Sequence, residues 1–469
     1  MLERQIYLLS PRELSPETIA VAFAKTSRSP ESFREIAAGL TEEKSAKFHE
    51  KWVVGYGHAS VAEHAVLHLA IENVSRLAIE SIESNRLASY TEKSTRYQKW
   101  STDNFLVPRE LVHHPLQSEY VAVCRRLFQV YEESLEPVKA LVMARAQRRD
   151  GESDEAMDRR LRSQYVDVCR FLLPAASLAN VGMTANARVL ENVIRKMLSH
   201  DLIEVREIGE QVKAAAVAEV PTLVKYADAV PYLVETTAEL AGLAPAEDGR
   251  FRPADRCTLV EYDRDGEEKV LAAIFYRFAG MPFADALAHV RSLSDAACND
   301  LAASLLKRLD PHDIPLRELE YCTYTFDLVM DQGAYAEFKR HRMMTQTPQK
   351  LTTRLGYETP RLIAEAGLRA GYDDVMHVAE ELFERLYKLQ PQIAQYVVPN
   401  AFKRRVLAHF NLREAYAFCQ LRSAPNAHFS IRGIAEQIYD AIRQVHPRLS
   451  GYMHLPPETW QDVQENHFA

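Results

Sequence analysis

The feature that most constrains this chain is an internal repeat. Ala20-Val21-Ala22-Phe23, followed by Pro30, runs parallel to Ala272-Ala273-Ile274-Phe275, followed by Pro282, at an offset of 252 residues. Glu63 matches Glu320 at 257, and Arg86 matches Arg342 at 256. Further on, Leu173-Pro174 parallels Val398-Pro399 and Asn186-Ala187-Arg188 parallels Asn411-Leu412-Arg413, both at 225. The fall in offset means that the first copy holds extra residues, placed by their charge around 147–154. The same matches in the same order predict two paralogous domains, and 469 residues are enough for each to bury its own core. The expected boundaries are 1–235 for the first repeat, 236–256 for a small, polar, turn-rich linker and 257–469 for a diverged second repeat.

Secondary-structure signals are mixed. Apolar residues recur at three- and four-residue steps from Ala187 to Ile194, Val205 to Val217 and Ile434 to Val445, which predicts helices. Alternation over 67–72 and 324–329 predicts strands. Together these give an α+β expectation for each repeat, helices packed on an antiparallel sheet. The charged segment from about 100 to 160 reads as a solvated helical hairpin at the periphery.

Composition narrows the function classes. A net charge of -8 argues against bulk nucleic-acid binding, which needs an excess of Lys and Arg over the surface. An anionic ligand would instead be met by a local arginine cluster. Six scattered cysteines, none in a Cys-x-x-Cys pair, fit reduced cytoplasmic thiols, and the N-terminal residues do not read as a signal peptide. No apolar run is long enough to suggest a membrane span.

Two motif regions carry chemistry. The first half contains Gly57-His58-Ala59-Ser60-Val61-Ala62-Glu63-His64 and then Ser89-Tyr90-Thr91-Glu92-Lys93-Ser94-Thr95-Arg96-Tyr97, followed by Arg170-Phe171-Leu172-Leu173-Pro174. The second half contains Arg340-His341-Arg342, Asn411-Leu412-Arg413 and Leu421-Arg422. In this combination the chain resembles the flavin-dependent thymidylate synthases, in a tandem-duplicated form. That family carries a Gly-His-x-Ser-x-x-Glu-His box, an Arg-His-Arg triplet leading into Ser-x-Asn-Glu-x-Ser-x-Arg-Tyr, and later Arg-x-x-Leu-Pro and Asn-x-Arg…Leu-Arg stretches.

The resemblance implies reductive methylation of dUMP to dTMP with FAD as cofactor and NADPH and methylenetetrahydrofolate as co-substrates. It also implies a homodimer acting as a pseudotetramer. Residue by residue it implies catalytic roles for Ser94, Glu92 and Arg96, and substrate contacts for Arg170, Arg340, Arg422 and Ser89. Cofactor contacts are implied for His58, Ser60, His64, His341, Arg342, Asn186, Arg188, Asn192, Asn411 and Arg413. Each half departs from the pattern. Ser84-Asn85-Arg86 stands where the first half should have its triplet, Thr91 replaces Asn, and the second half has Thr345 to Lys350 in place of the nucleotide loop, Tyr321 in place of the box histidine and His428 where Gln is expected. What one half lacks the other keeps, so a composite site shared between repeats is the leading expectation.

Planar bidentate guanidinium groups suit a nucleotide phosphate, and a Glu/Ser loop can meet the donor and acceptor edges of uracil. Two other readings stand beside this one. A degenerate paralogue could bind flavin or nucleotide without turnover, or flavin chemistry could be kept on a different pyrimidine, with Thr91 and Glu337 carrying the change. Plainer roles are expected elsewhere: His68 is structural rather than half of a metal pair with His64, Asn186, Asn192 and His200 could cap or pack helices, and Arg404 and Arg405 are surface residues. No metal is expected.

Overall fold

The computed structural model describes residues 5–243 and 256–469, and they divide into two compact units. The first unit comprises 5–94, 104–117 and 176–243, and the second comprises 95–103, 118–175 and 256–469. Both are α+β, with helices on an antiparallel sheet.

In the first unit, β1 (Val66–Ser75), β2 (Ser89–Glu92) and β3 (Leu178–Asn186) form a sheet of order β1-β3-β2. Leu67, Val181, Met183 and Ala185 are buried while their neighbours along each strand face outward, the two-residue alternation of a sheet with one covered face. The helix Ala187–Leu198 covers the inner face through Ala187, Val189, Leu190, Val193, Ile194 and Met197. It starts where it does because the Asn186 side chain accepts the Val189 N–H at 2.9 Å.

In the second unit, β4 (Cys257–Tyr262), β5 (Thr323–Asp331), β6 (Thr345–Pro348) and β7 (Lys403–Asn411) take the order β4-β5-β7-β6. β5, β7 and β6 repeat β1, β3 and β2, and β4 is an added edge strand. The repeat extends to single hydrogen bonds. Ala187 N–H reaches Ala65 O at 2.8 Å and Leu412 N–H reaches Cys322 O at 2.8 Å; Lys93 N–H reaches Asn180 O at 2.9 Å and Gln349 N–H reaches Arg405 O at 2.9 Å.

Within the second unit the two repeats meet about a local two-fold. Pro174 bridges Pro399 in antiparallel sense. Ala175 N–H donates to Val398 O at 2.9 Å, and its image, Asn400 N–H, donates to Leu173 O at 3.0 Å. An isologous contact of this kind is what a C2 dimer uses, here made inside one chain.

Three expectations are corrected. The segment read as a peripheral hairpin contains the helix Gln117–Arg145, which buries Tyr120, Cys124, Leu127, Phe128, Tyr131 and Val138. Its charges mark one face of a core helix rather than a solvated element. Residues 236–243 of the expected linker lie in the helix Pro231–Leu243, because small and polar residues there include good helix formers; 244–255 fall outside the described residues. Arg404 is buried rather than on the surface. Its guanidinium lies 4.3 Å from the Tyr335 ring centroid and donates to Gln332 Oε1 at 3.0 Å and Gln349 O at 2.6 Å. Arg405 is half-exposed and pairs with Asp327 at 3.2 Å.

Among the described residues no helix is long and apolar enough to cross a membrane, and no group of three or more His, Cys, Asp or Glu side chains could hold a metal ion. All six cysteines are free.

Candidate active site

The second unit holds a continuous chain of charged groups drawn from both repeats. At one end Glu414 Oε1 lies 3.0 Å from His341 Nδ1. Arg422 Nε donates to His341 Nε2 at 2.9 Å, and Arg422 Nη1 donates to Glu337 Oε2 at 2.8 Å. Arg96 Nη1 donates to the other oxygen of Glu337 at 3.2 Å, and Arg96 Nε donates to Asp167 Oδ2 at 2.9 Å. Arg170 closes the run, with Nε 2.7 Å from Asp167 Oδ1, Nη1 donating to Thr95 Oγ1 at 3.1 Å and Nη2 to Gly333 O at 3.4 Å. A Cβ on Gly333 would lie 2.9 Å from Asp331 Oδ1, so the glycine leaves room for that carboxylate, and 3.5 Å from Arg170 Nη2, an ordinary contact.

Local structure positions each member. Asp167 and Arg170 sit one turn apart at the end of the helix Asp154–Cys169, so the pair forms along the helix surface. Glu337 is on the helix Gln332–Phe338, whose N-cap Asp331 accepts the Ala334 N–H at 2.8 Å. Arg422 is in the last turn of the helix Leu412–Ser423, whose N-cap Asn411 accepts the Glu414 N–H at 2.9 Å. Arg96 follows β2 in the chain and also donates to Asn426 O at 3.1 Å.

The hydrogen bonds fix the state of two histidines. His341 Nε2 accepts from a guanidinium that has no acceptor capacity, so the ring is neutral and its proton sits on Nδ1, facing Glu414. Burial lowers the His341 pKa further than Glu414 raises it, and the Arg422 charge acts in the same direction as burial. His428 is fully buried, between Phe171 and Phe429, and its Nδ1 accepts the Ser430 N–H at 3.1 Å. Its proton is therefore on Nε2, 3.5 Å from Asp167 Oδ1, and burial followed by Arg170 and Arg96 holds its pKa well below the usual histidine range.

Burial raises the Asp167 carboxyl, opposed by Arg170 and Arg96. Burial also lowers the pKa of Arg422, with Arg340 and Arg96 adding repulsion. Arg340 itself is exposed beside the cluster, and Arg342 is half-buried.

The first unit holds most of the remaining sequence candidates. Glu92, at the end of β2, forms a buried ion pair with Arg76 at 2.7 Å. Ser94 is half-buried just beyond it. Ser89 pairs with Thr184 across β2 and β3 and lines a shallow depression of about 330 Å³ with His68, Thr91 and Gly182. His68 Nδ1 lies 2.9 Å from Thr184 Oγ1.

His58, Ser60 and His64 line a cavity of about 810 Å³ with Phe23, Arg28, Phe48 and Trp52. Phe23 lies 4.8 Å from the His64 ring, and the Arg28 guanidinium lies 4.7 Å from the Trp52 centroid. Aromatic faces beside a cation in a space of that size fit a planar group bearing phosphates.

Several implied cofactor residues are occupied internally. Asn186 and Asn411 cap helices, Arg188 pairs with Glu63, and Arg413 donates to Glu320 at 2.6 Å and Pro315 O at 2.9 Å. Asn192 is exposed on its helix, and His200 Nδ1 accepts the Leu202 N–H at 3.1 Å. Sequence reasoning missed Asp167 and Glu414. The three-residue spacing of Asp167 to Arg170 was the available signal for the first; nothing local marks the second.

The arrangement defines a class: a protein of two copies of one α+β unit, with an arginine-rich cluster assembled from both copies. The sequence matches the family model described as thymidylate synthase complementing protein twice, over residues 10–222 and 258–448, and the chain belongs to that family. Among relatives, the UPF0159 protein of Chlamydia muridarum is 31% identical over 428 residues, covering 88% of this chain and 81% of the relative. The UPF0159 protein of Thermoplasma acidophilum is 30% identical over 454 residues, covering 87% and 88%. The flavin-dependent thymidylate synthase of Clostridium tetani is 26% identical over 214 residues, covering 45% of this chain but 82% of that enzyme. A match over most of a single-copy relative and under half of this chain fits the tandem form.

Proposed function

We propose that the chain is a flavin-dependent thymidylate synthase that converts dUMP to dTMP with methylenetetrahydrofolate and NADPH, at one composite site per chain. The observation that carries the reading is the ion-pair chain of the second unit. Arg96 and Arg170 come from the first repeat, His341 and Arg422 from the second, and all four are positions that the family resemblance marks for nucleotide or flavin. The activity named for the Clostridium tetani relative supports the reaction class.

In this reading Arg96, Arg170 and Arg422 hold the nucleotide phosphate through charge-assisted hydrogen bonds, with Arg340 at the outer edge. Neutral His341, held by Glu414, fixes the Arg422 guanidinium. Glu92, Ser94 and Ser89 are the residues of the first unit that the family resemblance marks for the pyrimidine, Ser94 without a covalent role. FAD fits the cavity lined by His58, Ser60 and His64; when bound and reduced it supplies the hydride. Asn186 and Asn411 cap the helices that follow β3 and β7, and Arg188 and Arg413 tie those helices to Glu63 and Glu320. Two chains forming a pseudotetramer would carry half the sites of a family tetramer. Six free thiols support a cytoplasmic setting.

A second reading, flavin-dependent methylation of another pyrimidine, is favoured by one observation: Glu337 lies between Arg96 and Arg422. The test is release of tritium from position 5 of labelled dUMP by protein supplied with FAD, NADPH and methylenetetrahydrofolate. Release that requires every component, with dTMP as product, is expected. Stoichiometric flavin binding without release would replace the proposal by a changed substrate or a binding paralogue.

A further inference from the structure

We propose that His428 is a positioning residue for the phosphate-binding arginines: its Nε2–H pins the Asp167 carboxylate, which in turn holds Arg96 and Arg170 by one oxygen each. This rests on the reading that the arginine cluster takes a nucleotide phosphate.

Asp167 Oδ2 accepts from Arg96 Nε at 2.9 Å, and Oδ1 lies 2.7 Å from Arg170 Nε. The carboxylate torsion of an aspartate is broad, so a turn of this group would carry both guanidiniums with it. His428 Nε2 lies 3.5 Å from Oδ1 and completes no hydrogen bond with any other described group. A buried donor left unmade is costly, which directs this N–H to Oδ1. Hydrogen bonds of a site are often long before its ligand arrives. As a phosphate draws on Arg96 and Arg170, Asp167 settles onto His428 instead of pulling the arginines back.

The imidazole is held for this task. Its ring is fully buried, with centroids 5.5 Å from Phe171 and 4.2 Å from Phe429, and its Nδ1 is taken by the Ser430 N–H at 3.1 Å. Burial, then Arg170 and Arg96, keeps it neutral, so it offers Asp167 a dipole and does not compete with the arginines as a third cation.

The two repeats differ here as a functional contact should. The equivalent helix of the first repeat, Ile203–Glu219, starts after Leu202, whose side chain has no donor. The positions equivalent to Arg96, Arg170 and Asp167 are Thr352, Gln395 and Gln392. The donor is present only where the arginines and their carboxylate are.

The test is calorimetric titration of the full chain, native and as H428N, H428F and H428Q, with inorganic phosphate, deoxyuridine and dUMP in turn. Asn keeps an acceptor for the helix cap but is too short to reach Asp167. Phe keeps the ring stack and has no donor. Gln carries an N–H at a reach comparable to Nε2. H428N and H428F should bind phosphate and dUMP at least about tenfold more weakly, with deoxyuridine within about twofold of native. H428Q should stay within about threefold of native for all three ligands. In turnover the loss should appear in KM for dUMP and spare kcat.

Folded H428N and H428F that bind phosphate and dUMP as native protein does would overturn the proposal. So would a loss shared equally by deoxyuridine, which a purely structural role predicts, or an H428Q as impaired as H428F. Should no protein bind a pyrimidine while phosphate binding still depends on His428, the synthase reading fails and the positioning role stands. Should dUMP bind all four proteins alike, the inference about His428 fails alone.

Discussion

In the first unit the Ser75 hydroxyl donates to Glu204 Oε2 at 2.6 Å; in the second, the corresponding pair has the acid and the hydroxyl exchanged, Ser430 donating to Asp331. The outward sheet faces show the same exchange, with His68 and Thr184 in one and Thr325 and His409, 3.0 Å apart, in the other. Framework contacts thus survive in both copies, even when the partners trade places. The charged cluster behaves differently. The positions equivalent to Arg96, Arg170, His341 and Arg422 are Thr352, Gln395, Asn85 and Met197, so every charge and every imidazole has been replaced by a group without one. Complementarity that folds the chain has been kept twice, and chemistry once.

The largest effect that would sharpen this contrast is at Arg170 and its counterpart. Arg170→Ala removes a buried counter-ion of Asp167 and should cost about 3–5 kcal/mol of stability. Gln395→Ala leaves the Leu351 N–H, now 3.0 Å from Gln395 Oε1, without its acceptor and Gln392 O, 3.1 Å from Gln395 Nε2, without that donor, and should cost about 1–3 kcal/mol. Equal losses in denaturant melts would break the distinction. Turnover should divide the same way: Arg340→Ala loses tritium release while Ser84→Ala, at the equivalent position, retains it. Normal turnover by Arg340→Ala would remove the second repeat from the site.

Framework positions should behave alike. Asn186→Ala and Asn411→Ala each delete a helix N-cap, and each should cost about 1 kcal/mol. A several-fold difference between them would show that one copy carries stability for the other.

The pH response distinguishes Asp331 from Ser75. Below the ordinary histidine value of 6.5, the unfolded chain protonates at His341 and His428 before the folded chain does, so stability falls with acidification. Asp331 opposes this. Burial raises its folded pKa to about 6 against 3.8 unfolded, so the folded chain takes up that proton first and gains stability between those values. Asp331→Asn should steepen the acid loss in a series of melting temperatures from pH 6 to 4, and Ser75→Ala should leave the slope unchanged. The smallest effects are expected at the sheet faces, where His68→Ala and His409→Ala should each change stability by no more than about 0.5 kcal/mol.

The repeat was legible because both copies keep matching residues in the same order, and the structure forms the matching pair in each, Glu63 with Arg188 and Glu320 with Arg413. β1, β5 and the helices Ala187–Leu198, Ile203–Glu219 and Phe429–Val445 were legible from period alone. The burial of the helix Gln117–Arg145 was not, since its pattern shows an apolar face without naming what covers it. Nor was that of Arg404, whose charge is offset by a ring and two oxygens distant in sequence. In the cluster, the arginines could be named from the motifs, but Asp167, Glu414 and the position of Glu337 between two guanidiniums are products of packing.

The central claim is that two repeats make one site. Its most direct test is the stoichiometry of labelled dUMP bound to flavin-loaded protein by equilibrium dialysis, native and with Arg96→Ala or Arg422→Ala. One nucleotide per chain, lost in either variant, is the result predicted here; two per chain, or one that survives either substitution, would contradict it.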